Sequence, residues 1–186
     1  MGMIGIVNFG SSKTPQIADR LLSIGYPNEI IDWQKSEAIN WNIFSGIILS
    51  GAPVLLSQTD FSKYTERFTF FKSSTIPVLG ICFGHQLLGL LFGAEVFKGE
   101  EIRTDTEISV LKESKLFKGF GDTVIMMEDH TEGITLPPTF IKLASSGKYE
   151  VEAMQHSTLN LFGVQFHPEV SGENGRKLLH NFCKLT

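Results

Sequence analysis

A strand, a tight turn and a helix are predicted in residues 76–92, and a cysteine occupies the turn. The apolar run of residues 78–81 is typical of a short buried strand, whereas the apolar spacing that follows is helical. Glycines stand two positions before and two positions after Cys82, at Gly80 and Gly84, which is the spacing of a nucleophile elbow. Small residues are needed there because the turn is strained and the helix must pass close to the strand. The sequence therefore favours a nucleophilic cysteine over a buried structural thiol.

The position of Cys82 at the start of a helix has two chemical consequences. A helix N-terminus carries a partial positive charge, which favours a thiolate. The backbone N–H of Phe83 is also expected to point to the place where a negatively charged oxygen would form on a substrate carbonyl. We therefore predict that Cys82 attacks a carbonyl group and that Phe83 stabilises the oxyanion.

A cysteine nucleophile needs a base and a third group that orients the base. Residues 161–170 supply both, because an apolar strand ends there in His167-Pro168-Glu169. The proline keeps His167 out of the helical region, and positions 167 and 169 of an extended segment face the same side. We predict that Glu169 orients the imidazole of His167 toward the thiol.

These two motifs resemble the paired signature of the class I, or triad, glutamine amidotransferases. The likeness rests on Gly80-Ile-Cys-Phe-Gly-His-Gln and on Gly163-Val-Gln-Phe-His-Pro-Glu-Val. Residues 47–53 and 151–154 resemble two further motifs of the family, so the likeness covers nearly the whole chain. Within the family, the likeness is closest to the glutaminase domains and subunits of GMP synthases.

The resemblance implies an enzyme that hydrolyses L-glutamine to glutamate and ammonia through a cysteinyl thioester, without a cofactor. It also implies a partner, a separate ATP-dependent synthetase subunit that consumes the ammonia, with the GMP synthase type favoured. Residues 10–14 invite comparison with a phosphate-binding loop, but Ser12 stands where that motif requires glycine. Two alternatives stay open, a stand-alone amidase or γ-glutamyl hydrolase and a non-catalytic regulatory subunit with the same fold.

The resemblance also gives roles to residues outside the triad of Cys82, His167 and Glu169. The backbone N–H of Ala52 becomes the second oxyanion donor, beside that of Phe83. The side-chain amide of Gln86 holds the substrate glutamine, and the segment with Asp129 and His130 contacts its amino-acid end.

The chain departs from the family pattern at two of these residues and at one further position. It has Ala52 where a glycine is usual, Asp129 where a serine is usual, and Asn8 where an aspartate is frequent. Alanine resists a positive φ, so an oxyanion loop that requires that conformation would lose activity.

Short apolar segments alternate with helical ones, which predicts an α/β fold with a mostly parallel central sheet flanked by helices. The resemblance makes this sheet flavodoxin-like. Residues 107–111 alternate polar and apolar side chains, so a small antiparallel portion is expected near them. We expect one domain over residues 1–186, with strands near residues 3–7, 29–33, 46–49, 141–145 and 151–156 and helices near residues 14–24, 60–73 and 172–185.

Two further expectations concern packing. Helical spacing of aromatic residues predicts that one helix over residues 60–73 buries four rings, those of Phe61, Tyr64, Phe68 and Phe71. His156 is expected at the surface.

Composition argues against several classes of partner. The sequence has 16 Lys and Arg against 20 Asp and Glu, a net charge of −4, and no basic cluster, which argues against nucleic acid and anionic membranes. No membrane-spanning stretch or signal-peptide pattern occurs, so a cytoplasmic location is expected.

Cys82 and Cys183 lie far apart, which favours two reduced thiols. No metal-ligand motif occurs, so no metal site is expected.

Overall fold

The structure is a computed structural model in which residues 2–186 are described. In this part of the chain, no helix is long and apolar enough to cross a membrane. The elements follow the order β1 (Met3–Asn8), α1 (Thr14–Ser23), β2 (Asn28–Asp32), β3 (Phe44–Leu49), α2 (Ser62–Arg67), β4 (Val78–Ile81), α3 (Phe83–Leu91), β5 (Val96–Ile102), β6 (Asp105–Val110), β7 (Thr123–Met127), β8 (His130–Ile134), β9 (Phe140–Ser145), β10 (Ala153–His156), β11 (Leu161–Val164) and α4 (Gly172–Cys183). Short 3-10 turns lie at Trp33–Ala38, Trp41–Ile43, Leu56–Gln58, Thr69–Lys72 and Pro168–Val170.

The main sheet has nine strands in the order β2-β1-β3-β4-β11-β10-β9-β6-β7. The first five strands in this order, β2 to β11, pair in parallel. The remaining four, β10, β9, β6 and β7, pair antiparallel with their neighbours. Strands β5 and β8 form a separate antiparallel sheet. The predicted α/β fold with a parallel sheet between helices is confirmed. Its antiparallel part extends further than the pattern at residues 107–111 indicated.

The parallel register brings the functional segments to one edge of the sheet. Leu49 of β3 lies opposite Gly80 of β4, and Ile81 of β4 lies opposite Val164 of β11. The residues that follow these three strands therefore emerge side by side at the carboxyl edge. This is the edge where ligands bind in open parallel sheets.

Two apolar layers cover the faces of the sheet. One contains side chains of α1 and α4 packed on the sheet, including Ile17, Leu21 and Phe182. The other contains side chains of α2, α3 and the turn after α2, including Phe71 and Leu87. Burial of these side chains removes apolar surface from water and supplies the main driving force for folding.

The single helix predicted over residues 60–73 is wrong. Helix α2 ends at Arg67, and a 3-10 turn continues the segment over Thr69–Lys72. In a 3-10 turn, side chains three residues apart align, and the rings of Phe68 and Phe71 stack 5.7 Å apart with an angle of 6° between their planes. Phe61, expected in the core, is 38% exposed.

The expected surface position of His156 is also wrong. The residue is 7% exposed, and its ring packs against Phe92 and Phe140, with both ring centroids 5.1 Å away. Nδ1 accepts hydrogen bonds from the backbone N–H groups of Thr158 and Leu159, at 3.1 and 3.0 Å. Burial lowers the pKa of His156 and so favours the neutral ring.

Helix α3 lies directly against the strands beside it. A Cβ atom on Gly80 would lie 2.4 Å from the carbonyl oxygen of Gly84, and a Cβ atom on Gly84 would lie 2.4 Å from that of Leu49. Both positions therefore require glycine because a backbone group occupies the space of a side chain. The predicted strand, turn and helix around Cys82 are therefore present, and the helix lies as close to the strand as predicted.

Replacing Gly80 by alanine should destabilise the fold by about 1–3 kcal/mol, since the added methyl forces α3 away from β4. Urea denaturation measures this loss. Gly121→Ala is the control, because a Cβ atom there meets nothing within 4 Å. Equal free energies of unfolding for the two variants would contradict the close approach.

Candidate active site

Cys82 has an unusual backbone conformation, with φ 51° and ψ −106°. It is the one non-glycine residue among residues 2–186 with a positive φ. Two hydrogen bonds hold this conformation: Cys82 N–H donates to the Val164 carbonyl at 2.9 Å, and Gln86 N–H donates to the Cys82 carbonyl at 3.0 Å. Local strain of this kind persists only where the surrounding structure enforces it, and here it falls on the predicted nucleophile.

His167 and Glu169 form a buried pair. His167 Nδ1 and Glu169 Oε1 are 2.7 Å apart, and the two residues are 3% and 1% exposed. The predicted pairing is present, but its predicted backbone is wrong. Pro168–Val170 forms a 3-10 turn instead of an extended segment. His167 directly precedes this turn, and its backbone N–H donates to the Met127 carbonyl at 2.8 Å.

The electrostatic environment of His167 favours its charged form. Burial by itself disfavours an imidazolium, but the negative charge and hydrogen bond of Cys82, together with Glu169, outweigh it and raise the pKa of His167 to about 10. The raised pKa favours a protonated ring that lies between Cys82 and the Glu169 carboxylate.

The loop after β3 lies beside the elbow. Ser50 anchors this loop, because its hydroxyl accepts from Phe9 N–H at 3.0 Å and donates to the Gly51 carbonyl at 2.8 Å. Ala52 and Phe83 both line a cavity of about 530 Å³, and neither backbone N–H donates to another residue within 2–186. Ala52 does not have a positive φ, so its methyl group causes no backbone strain in this conformation.

Gln86 lines the same cavity, but its amide nitrogen is engaged within the protein. Gln86 Nε2 donates to the Glu132 carbonyl at 2.9 Å and to Gln165 Oε1 at 3.1 Å. The carboxylate of Glu132 in turn accepts from Leu56 N–H at 2.7 Å and from Ser57 N–H at 3.1 Å. Gln86 is thus part of a network that joins α3 to the cavity wall.

Asp129 and His130 also lie at the cavity. The Asp129 carbonyl is 4.0 Å from the sulfur of Cys82, whereas its carboxylate forms an ion pair with Lys13 and lies 3.5 Å from Arg103 Nε. Burial raises the pKa of Asp129, but the hydrogen bond and charge of Lys13 outweigh this and leave it lowered. His130 is 8% exposed, and its Nδ1 donates to the Glu132 carbonyl at 2.9 Å.

Sequence reasoning missed two charged residues of the cavity. Lys13 stands in the segment that fails the phosphate-loop pattern, and Arg103 lies in a charged stretch typical of a solvated surface. Both line the cavity and meet Asp129. No local signal identifies them, since the Lys13–Asp129 pair joins residues 116 positions apart.

The family model for class-I glutamine amidotransferases matches residues 5–185. The chain belongs to this family. It is 39% identical over 187 residues to a glutamine-hydrolysing GMP synthase subunit of Pyrococcus abyssi, with 98% of each chain covered. It is 43% identical over 143 residues to the protein of the same name in Pyrococcus furiosus, covering 75% of this chain and 74% of the relative.

The fold is similar to that of a solved structure from Thermoplasma acidophilum, described as a candidate subunit of GMP synthase. The TM-score is 0.89 and the sequence identity is 28%, with 100% of this chain and 94% of the other covered. The likeness therefore extends over all elements from β1 to α4.

The raised pKa of His167 predicts its titration. By NMR its ring should lose a proton near pH 10, well above the ordinary value of 6.5. Its charge therefore stabilises the fold fully below pH 6.5, and this contribution is lost as the pH rises through about 10. In Cys82→Ala the pKa of His167 should fall by more than about one unit, because the negative charge beside the ring is removed.

His180 provides an internal reference in the same spectra, because burial, Lys184 and Arg176 lower its pKa. Its titration should not change in Cys82→Ala. A His167 titration near pH 6.5 in the unsubstituted chain would contradict the ion pair.

Proposed function

We propose that the chain hydrolyses L-glutamine to glutamate and ammonia and passes the ammonia to a separate ATP-dependent synthetase subunit of the GMP synthase type. The observation that carries this proposal is the strained Cys82 beside the buried His167–Glu169 pair, at a cavity of about 530 Å³. Membership of the class-I glutamine amidotransferase family supports glutamine as the substrate. The names of the two Pyrococcus relatives support the type of synthetase.

In the first half of the reaction, the Cys82 thiolate attacks the side-chain carboxamide carbon of glutamine. The N–H groups of Phe83 and Ala52 donate to the oxyanion, and one such donor typically contributes about 2.7–4 kcal/mol to the barrier reduction. The imidazolium of His167 gives its proton to the leaving nitrogen, so ammonia departs and a glutamyl thioester remains. Glu169 keeps the ring in place and stabilises its charge.

In the second half, water hydrolyses the thioester. The now neutral His167 takes a proton from the attacking water, and the same two N–H groups donate to the second oxyanion. Collapse of this intermediate expels the Cys82 thiolate and leaves glutamate. The imidazolium–thiolate pair is then restored for the next substrate molecule.

In this proposal, the amino-acid end of glutamine contacts Gln86, Asp129 and His130. Gln86 Nε2 is engaged with Glu132 and Gln165, which leaves Gln86 Oε1 to accept from the substrate ammonium. The backbone of Asp129 and His130 lines this end, within reach of a substrate whose amide carbon is at Cys82.

Coupling to a synthetase follows from the chemistry of ammonia, which is protonated and lost in water. A separate subunit that binds ATP would take it up directly. We place this assembly in the cytoplasm and treat residues 1–186 as one glutaminase domain. Nucleic acid and membranes are not expected as partners of a chain with a net charge of −4.

Cys82→Ala should lower glutamate release from glutamine by about 10⁴-fold or more, because it removes the nucleophile. Release is measured with and without a GMP-synthase-type synthetase subunit, ATP and the nucleotide acceptor. Addition of the synthetase should raise release by the unsubstituted chain and by Cys183→Ala, but not by Cys82→Ala. Cys183→Ala is the control, since Cys183 is buried away from the cavity. Release that persists in Cys82→Ala would refute the nucleophile.

Ala52→Gly should change kcat by less than about three-fold. Ala52 already lacks a positive φ, so glycine relieves no strain and the N–H position is kept. Steady-state glutamate release measures the effect. A rise in kcat by about 100-fold would contradict this, because it would mean that turnover needs a loop conformation that alanine resists.

A further inference from the structure

A second cluster of ionisable groups lies next to the active site, and the mechanism above does not use its side chains. It consists of Glu128, His130 and Glu152, here called the Glu-His-Glu cluster. Glu128 and Glu152 are 0% exposed and His130 is 8% exposed. One oxygen or nitrogen ligand atom from each residue lies within 4.8 Å of those of the other two.

The hydrogen bond at one side of His130 determines which of its nitrogens is free. Nδ1 is 2.9 Å from the Glu132 carbonyl oxygen, and a carbonyl can only accept, so Nδ1 carries the hydrogen. In the neutral ring, Nε2 then has a free lone pair. Nε2 lies 2.7 Å from Glu128 Oε2, yet neither atom has an aligned hydrogen bond within the described residues. Two lone pairs this close repel unless a proton or a metal ion lies between them.

Among the described residues, the other carboxylate oxygens of the cluster also lack hydrogen-bond partners, with one exception. Within residues 2–186, both oxygens of Glu128 and Oε2 of Glu152 are buried without a hydrogen-bond partner. Glu152 Oε1 is satisfied, since it accepts from the Ser146 hydroxyl at 2.6 Å. No lysine or arginine of these residues forms an ion pair with either carboxylate. Two buried carboxylates without a cation are energetically costly.

We propose that the Glu-His-Glu cluster binds one divalent transition-metal ion, with Zn²⁺ preferred. Two carboxylates and one imidazole are a donor set that suits Zn²⁺ and Mn²⁺, and most N and O sites bind Zn²⁺ more tightly than Mn²⁺. One dication balances the two carboxylate charges. A histidine that donates its other N–H to a backbone carbonyl, as His130 does, has the usual outer hydrogen bond of a metal-binding imidazole.

The ion would hold the turn between β7 and β8 to the start of β10. Asp129 stands in this turn, flanked by Glu128 and His130, and its carbonyl faces the sulfur of Cys82. The site is therefore structural and positions one wall of the cavity. Its three ligand residues are distinct from Cys82 and His167 and take no part in the bond-making steps.

The test must exclude zinc bound by the catalytic thiol, so all variants are made in the Cys82→Ala background. Each is treated with chelator, exchanged into metal-free buffer and titrated with ZnCl₂ by calorimetry. Metal content is then measured after gel filtration. Glu152→Gln removes one ligand oxygen with little change in shape, and Glu150→Gln is the matched control because Glu150 is exposed and pairs with Lys142.

We expect one Zn²⁺ per chain and a rise in the thermal unfolding temperature on zinc addition. Glu152→Gln should weaken zinc binding at least 100-fold and abolish the thermal shift, while Glu150→Gln should leave both within two-fold. Zinc binding that Glu152→Gln does not weaken would overturn the assignment. Absence of retained zinc and of any thermal shift would also overturn it, and would identify the cluster as carboxyl groups that share protons.

A second measurement covers the case in which Glu152→Gln does not fold. Co²⁺ added to the Cys82→Ala chain should give the visible absorption bands of a low-symmetry site with nitrogen and oxygen ligands. Glu128→Gln should weaken these bands. A chain that folds and gives only the spectrum of aqueous Co²⁺ would refute the site.

Discussion

The close contact between α3 and its neighbouring strands is the constraint on which the rest of the site depends. Gly80 and Gly84 let the backbone of α3 contact the backbones of β4 and β3 directly. The turn between β4 and α3 therefore has no room for a relaxed conformation. The chain satisfies this contact by placing Cys82 at φ 51°, which costs on the order of 1–3 kcal/mol. In return, the sulfur stands at a helix N-terminus at the ligand-binding edge of the sheet.

The other catalytic groups reach this sulfur through the order of the strands. Strand β11 pairs directly with β4, so the segment that contains His167 begins beside the elbow although it lies 85 residues later in the sequence. The Met127 carbonyl then accepts from His167 N–H, which joins the antiparallel half of the sheet to the site. The turn with Asp129 follows β7 directly, so this half of the sheet also positions the cavity wall that residues 129–132 form.

The sequence was most informative where chemistry depends on local spacing. The elbow, the His167–Glu169 pair and the parallel strands all follow from short motifs or apolar periodicity. The antiparallel extension, the Lys13–Asp129 pair and the Glu-His-Glu cluster depend on which distant strands become neighbours, and periodicity does not contain this information. The aromatic segment after α2 and the burial of His156 were missed because ring packing decided both, and neither has a signal in local spacing.

Covalent labelling tests the central claim most directly, because it reports on the nucleophile without any partner. The purified chain is incubated with an electrophilic glutamine analogue, and the modified residue is located by mass spectrometry. Cys82 should be labelled, with protection by glutamine, while Cys183 should stay unmodified because burial raises its pKa to about 12. Equal labelling of the two cysteines, or none at Cys82 in the folded chain, would contradict an activated nucleophile at the elbow.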